Sequence, residues 1–299
     1  METIAFIGLG HMGAGMAANL AKAGRRVLAC DLSEAAVARA VRAGCEASSA
    51  AAAAGAAEVV ITMLPNAAAV RSVWTGEILP NAAKGALVID CSTIDVASAR
   101  ALAKAAAEAG LRGADAPVSG GIMAADAGTL AFMAGCAEAD FPAVEAALTP
   151  MARAVVRAGE PGAGQAAKIC NNMVLAISML GVCEAFALAE KLGLSPERFF
   201  EIASQSSAQC WSLTTYCPWP GPVPGAPSNR GYKGGFLTDL MLKDLKLAQE
   251  AAASAGAATP MGAQAEALFA LFGNLGHGDR DFSAILQLIR GRLDHLASS

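Results

Sequence analysis

Three glycines near the start of the chain, Gly8, Gly10 and Gly13, are set in Ile4-Ala5-Phe6-Ile7-Gly8-Leu9-Gly10-His11-Met12-Gly13, where an apolar strand pattern turns into an Ala/Leu-rich helical one. A G-x-G-x-x-G turn in that context is chemistry for a dinucleotide. The first Gly permits the tight turn, the second lets backbone approach a pyrophosphate, the third lets helix pack close to strand, and the free N–H groups of the helix start face the phosphates. The pattern is weak alone and gains weight from Asp31, which closes Arg26-Val27-Leu28-Ala29-Cys30-Asp31 eighteen positions after Gly13. Such folds hold the adenosine ribose hydroxyls at that place. A carboxylate there repels a 2′-phosphate, and Leu32-Ser33-Glu34-Ala35-Ala36 has no Arg or Lys to neutralise one, so the strand end predicts NAD rather than NADP. A structural role for Asp31 or Ser33, as cap of the next helix, is compatible with this.

Transfer of a hydride between a nicotinamide and an alcohol needs a group that takes or gives the hydroxyl proton. Lys168 is the candidate. It stands in Gly164-Gln165-Ala166-Ala167-Lys168-Ile169-Cys170-Asn171-Asn172, in the first turn of a helix with no other charge until Glu184, and Asn172 follows one turn on along the same face. Burial and the positive end of the helix dipole both disfavour an ammonium there. A lysine snorkelling from a helix end is the plain alternative. Ser119, with the N–H groups of Gly120 and Gly121, follows the strand end at Asp115-Ala116-Pro117-Val118 and can form a small concavity for a substrate carboxylate, although an ordinary turn has the same composition. Lys243-Asp244 lies on a helical stretch whose apolar positions read as core, where a lysine is ordinarily a solvated flank.

The elements that position these residues follow from the hydrophobic pattern. From Thr3 to about Ala158, strand patterns at Ile4–Ile7, Arg26–Cys30, Val59–Leu64, Leu87–Asp90, Arg112–Ala116, Leu130–Ala134 and Ala154–Val156 alternate with helical ones such as His11–Ala23, Ala35–Ala43, Val96–Ala109 and Phe141–Met151. That alternation predicts an α/β fold, a doubly wound Rossmann-type domain over residues 1–164 with ligand at the carboxyl ends of the strands. Asp31, the Met63-Leu64-Pro65 turn and the Asp90-Cys91-Ser92-Thr93 turn fall at those ends. After Gly159–Gly164 an all-helical domain over residues 165–299 is predicted, with Gln165–Leu192 as a spine apolar all round and therefore buried, partly by another subunit. Pro196–Ser204, Gly235–Ala253, Pro260–Leu271 and Ser283–Leu293 supply further helices, and the Pro/Gly-rich stretch from Cys217 to Gly235 is a candidate lid or binding loop. The two domains are expected to form a cleft, with Gly10 and Ser119 on one wall and Lys168 and Lys243 on the other.

Composition narrows the function classes. The 299 residues are 55% hydrophobic and 16% charged, which indicates a globular, core-rich chain with apolar faces suited to a homo-oligomer, a dimer or tetramer. A net charge of −4 without a basic run argues against a nucleic-acid partner. Eight cysteines without a C-x-x-C pair read as reduced core thiols, and three scattered histidines make no metal site. An acidic start and an apolar stretch broken at Gly8 predict neither signal peptide nor membrane span, and so a cytoplasmic protein.

Taken in order, Gly8 to Gly13 through Met16-Ala17-Ala18-Asn19-Leu20, then Asp115 to Gly121, Gly164 to Asn172, and Lys243-Asp244-Leu245 resemble the four motifs of the β-hydroxyacid dehydrogenases. Ser206 to Ser212, Tyr216, Pro218 and Gly234-Gly235-Phe236 resemble in particular the branch that oxidises 3-hydroxyisobutyrate to methylmalonate semialdehyde in valine breakdown. The resemblance implies that Lys168 is the catalytic lysine and Asn172 its substrate-orienting neighbour. It makes Ser119, Gly120 and Gly121 the carboxylate site, and sets Trp211 and Phe236 beside the methyl-bearing carbon. It assigns NAD to Gly8, Leu9, Gly10, His11, Met12, Asp31, Leu64, Pro65 and Thr93, with Lys243 at the nicotinamide end. The loop from Cys217 to Gly234 aligns least well. Reduction of tartronate semialdehyde, or another short β-hydroxyacid, is the alternative activity. Imine reduction on the same fold is disfavoured by Lys168, and a non-enzymatic NAD-sensing module would turn over no hydroxyacid.

Overall fold

The structure, a computed structural model, describes residues 2–297. Its contacts divide the chain into two units, Met1–Lys168 and Ile169–Ser299.

The first unit is built on a nine-stranded sheet. In chain order its elements are β1 (Thr3–Ile7), α1 (Gly13–Lys22), β2 (Arg26–Cys30), α2 (Glu34–Arg42), β3 (Glu46–Ala47), α3 (Ala50–Ala56), β4 (Val59–Thr62), α4 (Ala67–Val73), β5 (Leu87–Asp90), α5 (Val96–Glu108), β6 (Arg112–Asp115), β7 (Val118–Ser119), α6 (Gly121–Ala127), β8 (Leu130–Gly135), α7 (Phe141–Leu148) and β9 (Ala152–Gly159). The order is β3-β2-β1-β4-β5-β6-β8-β7, parallel through β6, with β8 antiparallel to β6 and β7 and parallel to β9. Successive side chains in the central strands alternate between two buried faces. Ile4, Phe6, Val27, Ala29, Val59 and Ile61 enter one core with Met16 and Leu20 of α1. Ala5, Ile7, Leu28, Cys30 and Val60 enter the other, with Ala99, Leu102 and Ala106 of α5. Burial on both faces explains why these strands read as continuous apolar runs. The strand order reverses direction between β1 and β4, the place where a doubly wound sheet opens a crevice at its strand ends.

Several boundaries differ from the sequence expectation. The strand beginning at Val59 stops at Thr62, which leaves Leu64 in the turn, and β9 runs from Ala152 to Gly159 rather than from Ala154 to Val156. The division between the two units falls after Lys168, against the 164/165 boundary expected from sequence.

The helix α8 (Ala163–Lys191) starts in the first unit and continues into the second. The rest of the second unit comprises α9 (Pro196–Ala203), α10 (Trp211–Thr214), α11 (Thr238–Ala255), α12 (Pro260–Phe272), α13 (Ile285–Ile289) and α14 (Asp294–Ala297). Met179, Cys183 and Phe186 of α8 pack with Met241, Leu245, Phe269, Phe272, Phe282 and Ile285 into its core. By length and composition α8 is apolar enough to cross a membrane, with mean hydropathy 1.8 over its best window. Within this single chain it is not buried all round, which leaves a face for the expected second subunit. Cys170, Asn171, Val174, Gly181, Glu184 and Leu188 form an exposed stripe at helical spacing, and Val174 and Leu188 are each 61% exposed.

The stretch from Cys217 to Gly235, a candidate lid or binding loop, is tied down by hydrogen bonds within itself. Asn229 ties the segment to itself, its Nδ2 donating to Val223 O at 2.7 Å and its Oδ1 accepting from Gly221 N at 2.7 Å. Ser228 Oγ donates to Cys217 O and Tyr232 Oη to Pro218 O, both at 2.8 Å. Trp219 stacks on Phe186 and carries the Arg290 guanidinium 4.2 Å above its ring. Buried Cys217, Pro218, Ser228 and Tyr232 anchor the segment, while Gly221, Pro224, Gly225 and Asn229 stay exposed.

Candidate functional site

The turn after β1 shows why glycine is needed there. Gly8 has φ +101°, and a Cβ on it would meet the Met63 carbonyl, while one on Gly13 would meet the carbonyl of Gly8. Over Gly10 nothing lies within 4 Å of a Cβ position, and Gly10 and His11 are exposed. Two glycines are therefore demanded by packing, and the middle one leaves open space above the backbone, as close approach of a pyrophosphate requires. Met12 is half-buried and precedes α1, and Leu9 is fully buried.

Asp31 is held in place by backbone. Leu9 N–H donates to its Oδ2 at 2.6 Å and Ser33 N–H to its Oδ1 at 2.8 Å. Ser33, not Asp31, caps α2 by accepting from Ala36 N. Each Asp31 oxygen keeps acceptor capacity for a ribose hydroxyl. Leu32 beside it is fully exposed and offers nothing to a 2′-phosphate.

The turns after β4 and β5 hang on a network that sequence reasoning missed. Buried Asp90 accepts from Thr62 Oγ1 at 2.8 Å and Ser92 Oγ at 2.6 Å, and Ser92 Oγ accepts from Leu64 N at 2.8 Å. Trp74 Nε1 donates to Thr62 Oγ1 at 3.2 Å. Leu64 and Thr93 are thereby set half-buried at the strand ends, with Pro65 exposed beside them. Burial pushes the Asp90 carboxyl up to about 6, against the opposing bonds from Ser92 and Thr62, and its Oδ2 has no hydrogen-bond partner among the described residues.

Asp115, at the end of β6, acts on α8. Its Oδ1 accepts from Gly162 N at 2.6 Å and its Oδ2 from Gln165 N at 2.8 Å, so a strand-end carboxylate satisfies the first turn of the helix. Burial raises its carboxyl above the ordinary range, opposed by those same N–H groups. Three residues after Gln165, Lys168 is 7% exposed and its Nζ donates to Val118 O at 2.8 Å. The Lys168 Nζ thus sits on the carbonyl preceding Ser119, at the edge of the Ser119-Gly120-Gly121 turn, where Gly120 and Gly121 have φ +134° and +70°. Lys168 is no snorkelling lysine.

In the second unit, Asn172 is buried. Its Nδ2 donates to Asp244 Oδ2 at 2.6 Å and its Oδ1 accepts from Asn171 Nδ2 at 3.0 Å. Those two bonds orient the amide. Lys243 Nζ lies 3.7 Å from Asp244 Oδ1, so Asp244 holds both side chains. Trp211, 48% exposed, stacks on Tyr216 at 4.7 Å, and Tyr216 on Phe282 at 5.6 Å. Phe236 meets Phe282 edge-on at 5.8 Å. Asp281, fully buried, accepts from Tyr216 Oη at 2.7 Å and Phe236 N at 2.9 Å. Burial raises the Asp281 carboxyl, and burial with that carboxylate nearby pushes the Tyr216 phenol far above its usual range, so it serves as a donor.

All eight thiols are free, and burial pushes Cys30 up to about 12 and Cys217 up to about 11. Among the described residues no group of three or more His, Cys, Asp or Glu gathers as for a metal ion.

Open space over Gly10, a backbone-braced Asp31 at the end of β2 and a buried Lys168 beside two positive-φ glycines suit a nicotinamide-dependent oxidoreductase, the class to which the known proteins similar to this chain belong. The model of the NAD binding domain of 6-phosphogluconate dehydrogenase matches residues 3–159, and the model described as NAD-binding of NADP-dependent 3-hydroxyisobutyrate dehydrogenase matches residues 162–289. A 3-hydroxyisobutyrate dehydrogenase of Pseudomonas aeruginosa is 48% identical over 297 residues, 98% of this chain and 100% of the relative. An NAD-dependent L-serine dehydrogenase of the same organism is 47% identical over 294 residues, 96% and 98%. A solved structure of Mycobacterium tuberculosis 3-hydroxyisobutyrate dehydrogenase with L-serine superposes with a TM-score of 0.94 at 46% identity, covering 97% of this chain and all of that one. The chain belongs to the β-hydroxyacid dehydrogenases, and within them it is similar to the 3-hydroxyisobutyrate dehydrogenases. Its cofactor is NAD. The NADP in one family description finds no counterpart at Asp31 and Leu32.

Proposed function

We propose that the protein oxidises the 3-hydroxyl of 3-hydroxyisobutyrate to the aldehyde of methylmalonate semialdehyde, a step of valine breakdown. The observation that carries the reading is Lys168, buried and anchored on the carbonyl before Ser119. Lys168 takes the hydroxyl proton. Ser119 and the N–H groups of Gly120 and Gly121 hold the carboxylate, Asn172 orients the substrate with the amide that Asp244 fixes, and Trp211 and Phe236 flank the methyl-bearing carbon. Gly8, Leu9, Gly10, His11 and Met12 hold the pyrophosphate of NAD, Asp31 its ribose, and Leu64, Pro65, Thr93 and Lys243 its nicotinamide half. Bound NAD supplies the carbon that accepts the hydride.

L-Serine is the second reading, because one similar protein is named an L-serine dehydrogenase and another, a 3-hydroxyisobutyrate dehydrogenase, was solved with L-serine. It shares the carboxylate and the 3-hydroxyl and differs at C2. Tartronate semialdehyde is the third. An NAD-coupled screen over 3-hydroxyisobutyrate, 3-hydroxypropionate, L-serine, glycerate and tartronate semialdehyde tests the proposal. The highest kcat/KM on 3-hydroxyisobutyrate is expected. A higher value on L-serine replaces the first reading by the second, a higher value on tartronate semialdehyde replaces it by the third, and no turnover of any of the five compounds removes all three. The working form is a soluble, cytoplasmic homo-oligomer, a dimer or tetramer, with no nucleic-acid or membrane partner. Val174 and Leu188, exposed on α8, support the oligomer, and buried Gln165, Lys168 and Asn172, each with protein partners, support a core helix over a membrane span.

A further inference from the structure

Gln165 has no part in the proposed chemistry, yet it is fully buried and both ends of its amide are used. Its Oε1 accepts from Ile94 N at 3.1 Å and its Nε2 donates to Ser92 O at 2.7 Å. A backbone N–H only donates and a carbonyl only accepts, so the amide has one possible orientation. Ser92 is the residue on which the cofactor turns depend, since its hydroxyl joins Leu64 N to Asp90. The same helical turn that carries Gln165 carries Lys168, three residues on and anchored at Val118 O. All of these residues lie in the first unit.

We infer that Gln165 is a positioning residue that sets the distance between the cofactor turn Ser92-Thr93-Ile94 and the Lys168 amine. The inference rests on the assignment of the hydroxyl proton to Lys168. One turn of α8 grips the cofactor turn with one side chain and the substrate turn with another. Without the amide, the direct tie between the cofactor turn and this turn of α8 is lost. NAD still binds through Gly8 to Met12 and Asp31, but the lysine no longer meets the hydroxyl at the geometry that hydride transfer needs. A displacement of about 1 Å in such an arrangement costs up to about a hundredfold.

The test uses Gln165→Leu, Gln165→Glu and, in parallel, Lys168→Ala in the full-length enzyme, with kcat, NAD affinity by fluorescence quenching and a melting temperature at each pH from 5.5 to 8.5. Gln165→Leu is expected to lower kcat about 10- to 100-fold at every pH and to change NAD affinity far less. In Gln165→Glu the protonated carboxyl accepts from Ile94 N and donates to Ser92 O as the amide does, whereas the carboxylate faces the Ser92 carbonyl with no proton to give. Its kcat relative to wild type is therefore expected to rise as pH falls, while the ratio for Gln165→Leu stays level. Wild-type kcat in folded variants, a loss of NAD affinity as large as the loss of kcat, level ratios for both variants, or a variant that unfolds at every pH each overturns the inference. If Lys168→Ala keeps more than half the activity, the assignment of the proton to Lys168 falls instead.

Discussion

Asp90→Asn should remove a pH dependence from stability. The Asp90 carboxyl is held at about 6 in the folded protein, against 3.8 ordinarily, because it is buried and one oxygen has no partner. A folded-state value above the unfolded one means that the folded protein binds the extra proton. The associated stability is thus fully present below about 4 and is lost as pH rises through about 6. The gap between the two values amounts to about 3 kcal/mol, of which about 2 kcal/mol is lost between pH 4.5 and 7.5. Asparagine has nearly the same shape, keeps an acceptor for Thr62 and Ser92, and does not titrate. Urea unfolding of both proteins at the two pH values, by tryptophan fluorescence because Trp74 donates to Thr62 in the same network, gives the double difference directly. The wild type should lose about 2 kcal/mol relative to the variant on going to pH 7.5. Parallel changes in the two proteins would refute the reasoning, for Asp90 would then titrate alike in the folded and unfolded chains.

Lys168→Ala should lower kcat by about a hundred- to ten-thousand-fold with NAD affinity nearly intact, as loss of a general base does; stopped-flow turnover with a cofactor titration checks it. Asp31→Asn combined with Leu32→Arg should move the NADP-to-NAD ratio of kcat/KM upward by about ten- to a hundredfold, since repulsion is removed and a phosphate partner gained. A wild type that already prefers NADP would contradict the role of Asp31. The wild type should favour 3-hydroxyisobutyrate over 3-hydroxypropionate, which lacks the methyl, by about tenfold or more. Trp211→Ala should narrow that gap mainly through kcat/KM for the methylated acid, and an unchanged gap would clear Trp211 of the methyl.

What could be read from sequence was what is local. The β1 turn, the strand ending at Asp31 and the long α8 each declare themselves within a dozen or so residues, through glycine spacing or apolar periodicity. The two-residue strands β3 and β7 are too short to show alternation, and α3, all Ala and Gly, has no polar face to give it a period. The bracing of the candidate site was illegible for another reason. Asp115 reaches Gln165 and Gln165 reaches Ser92 across 50 and 73 positions, and Asp244 reaches Asn172 across 72. Nothing in a buried Asp or Gln names its distant partner. In the segment from Cys217 to Gly235, Pro and Gly signal the lack of a helix and say nothing about anchoring by Trp219, Ser228 and Tyr232.

The aromatic row from Trp211 through Tyr216 to Phe282, pinned by Asp281, has a thermodynamic consequence. Side chains that must be ordered on binding each cost about 0.5–1.5 kcal/mol of affinity. Here the rings are ordered in advance by one another and by a buried carboxylate, so a hydroxyacid bound as proposed above would meet a wall that is already assembled. Its affinity then depends on fit alone, and calorimetry should find the heat-capacity change of binding set by the few apolar atoms of the ligand, without the large negative contribution that folding of a segment around it would add.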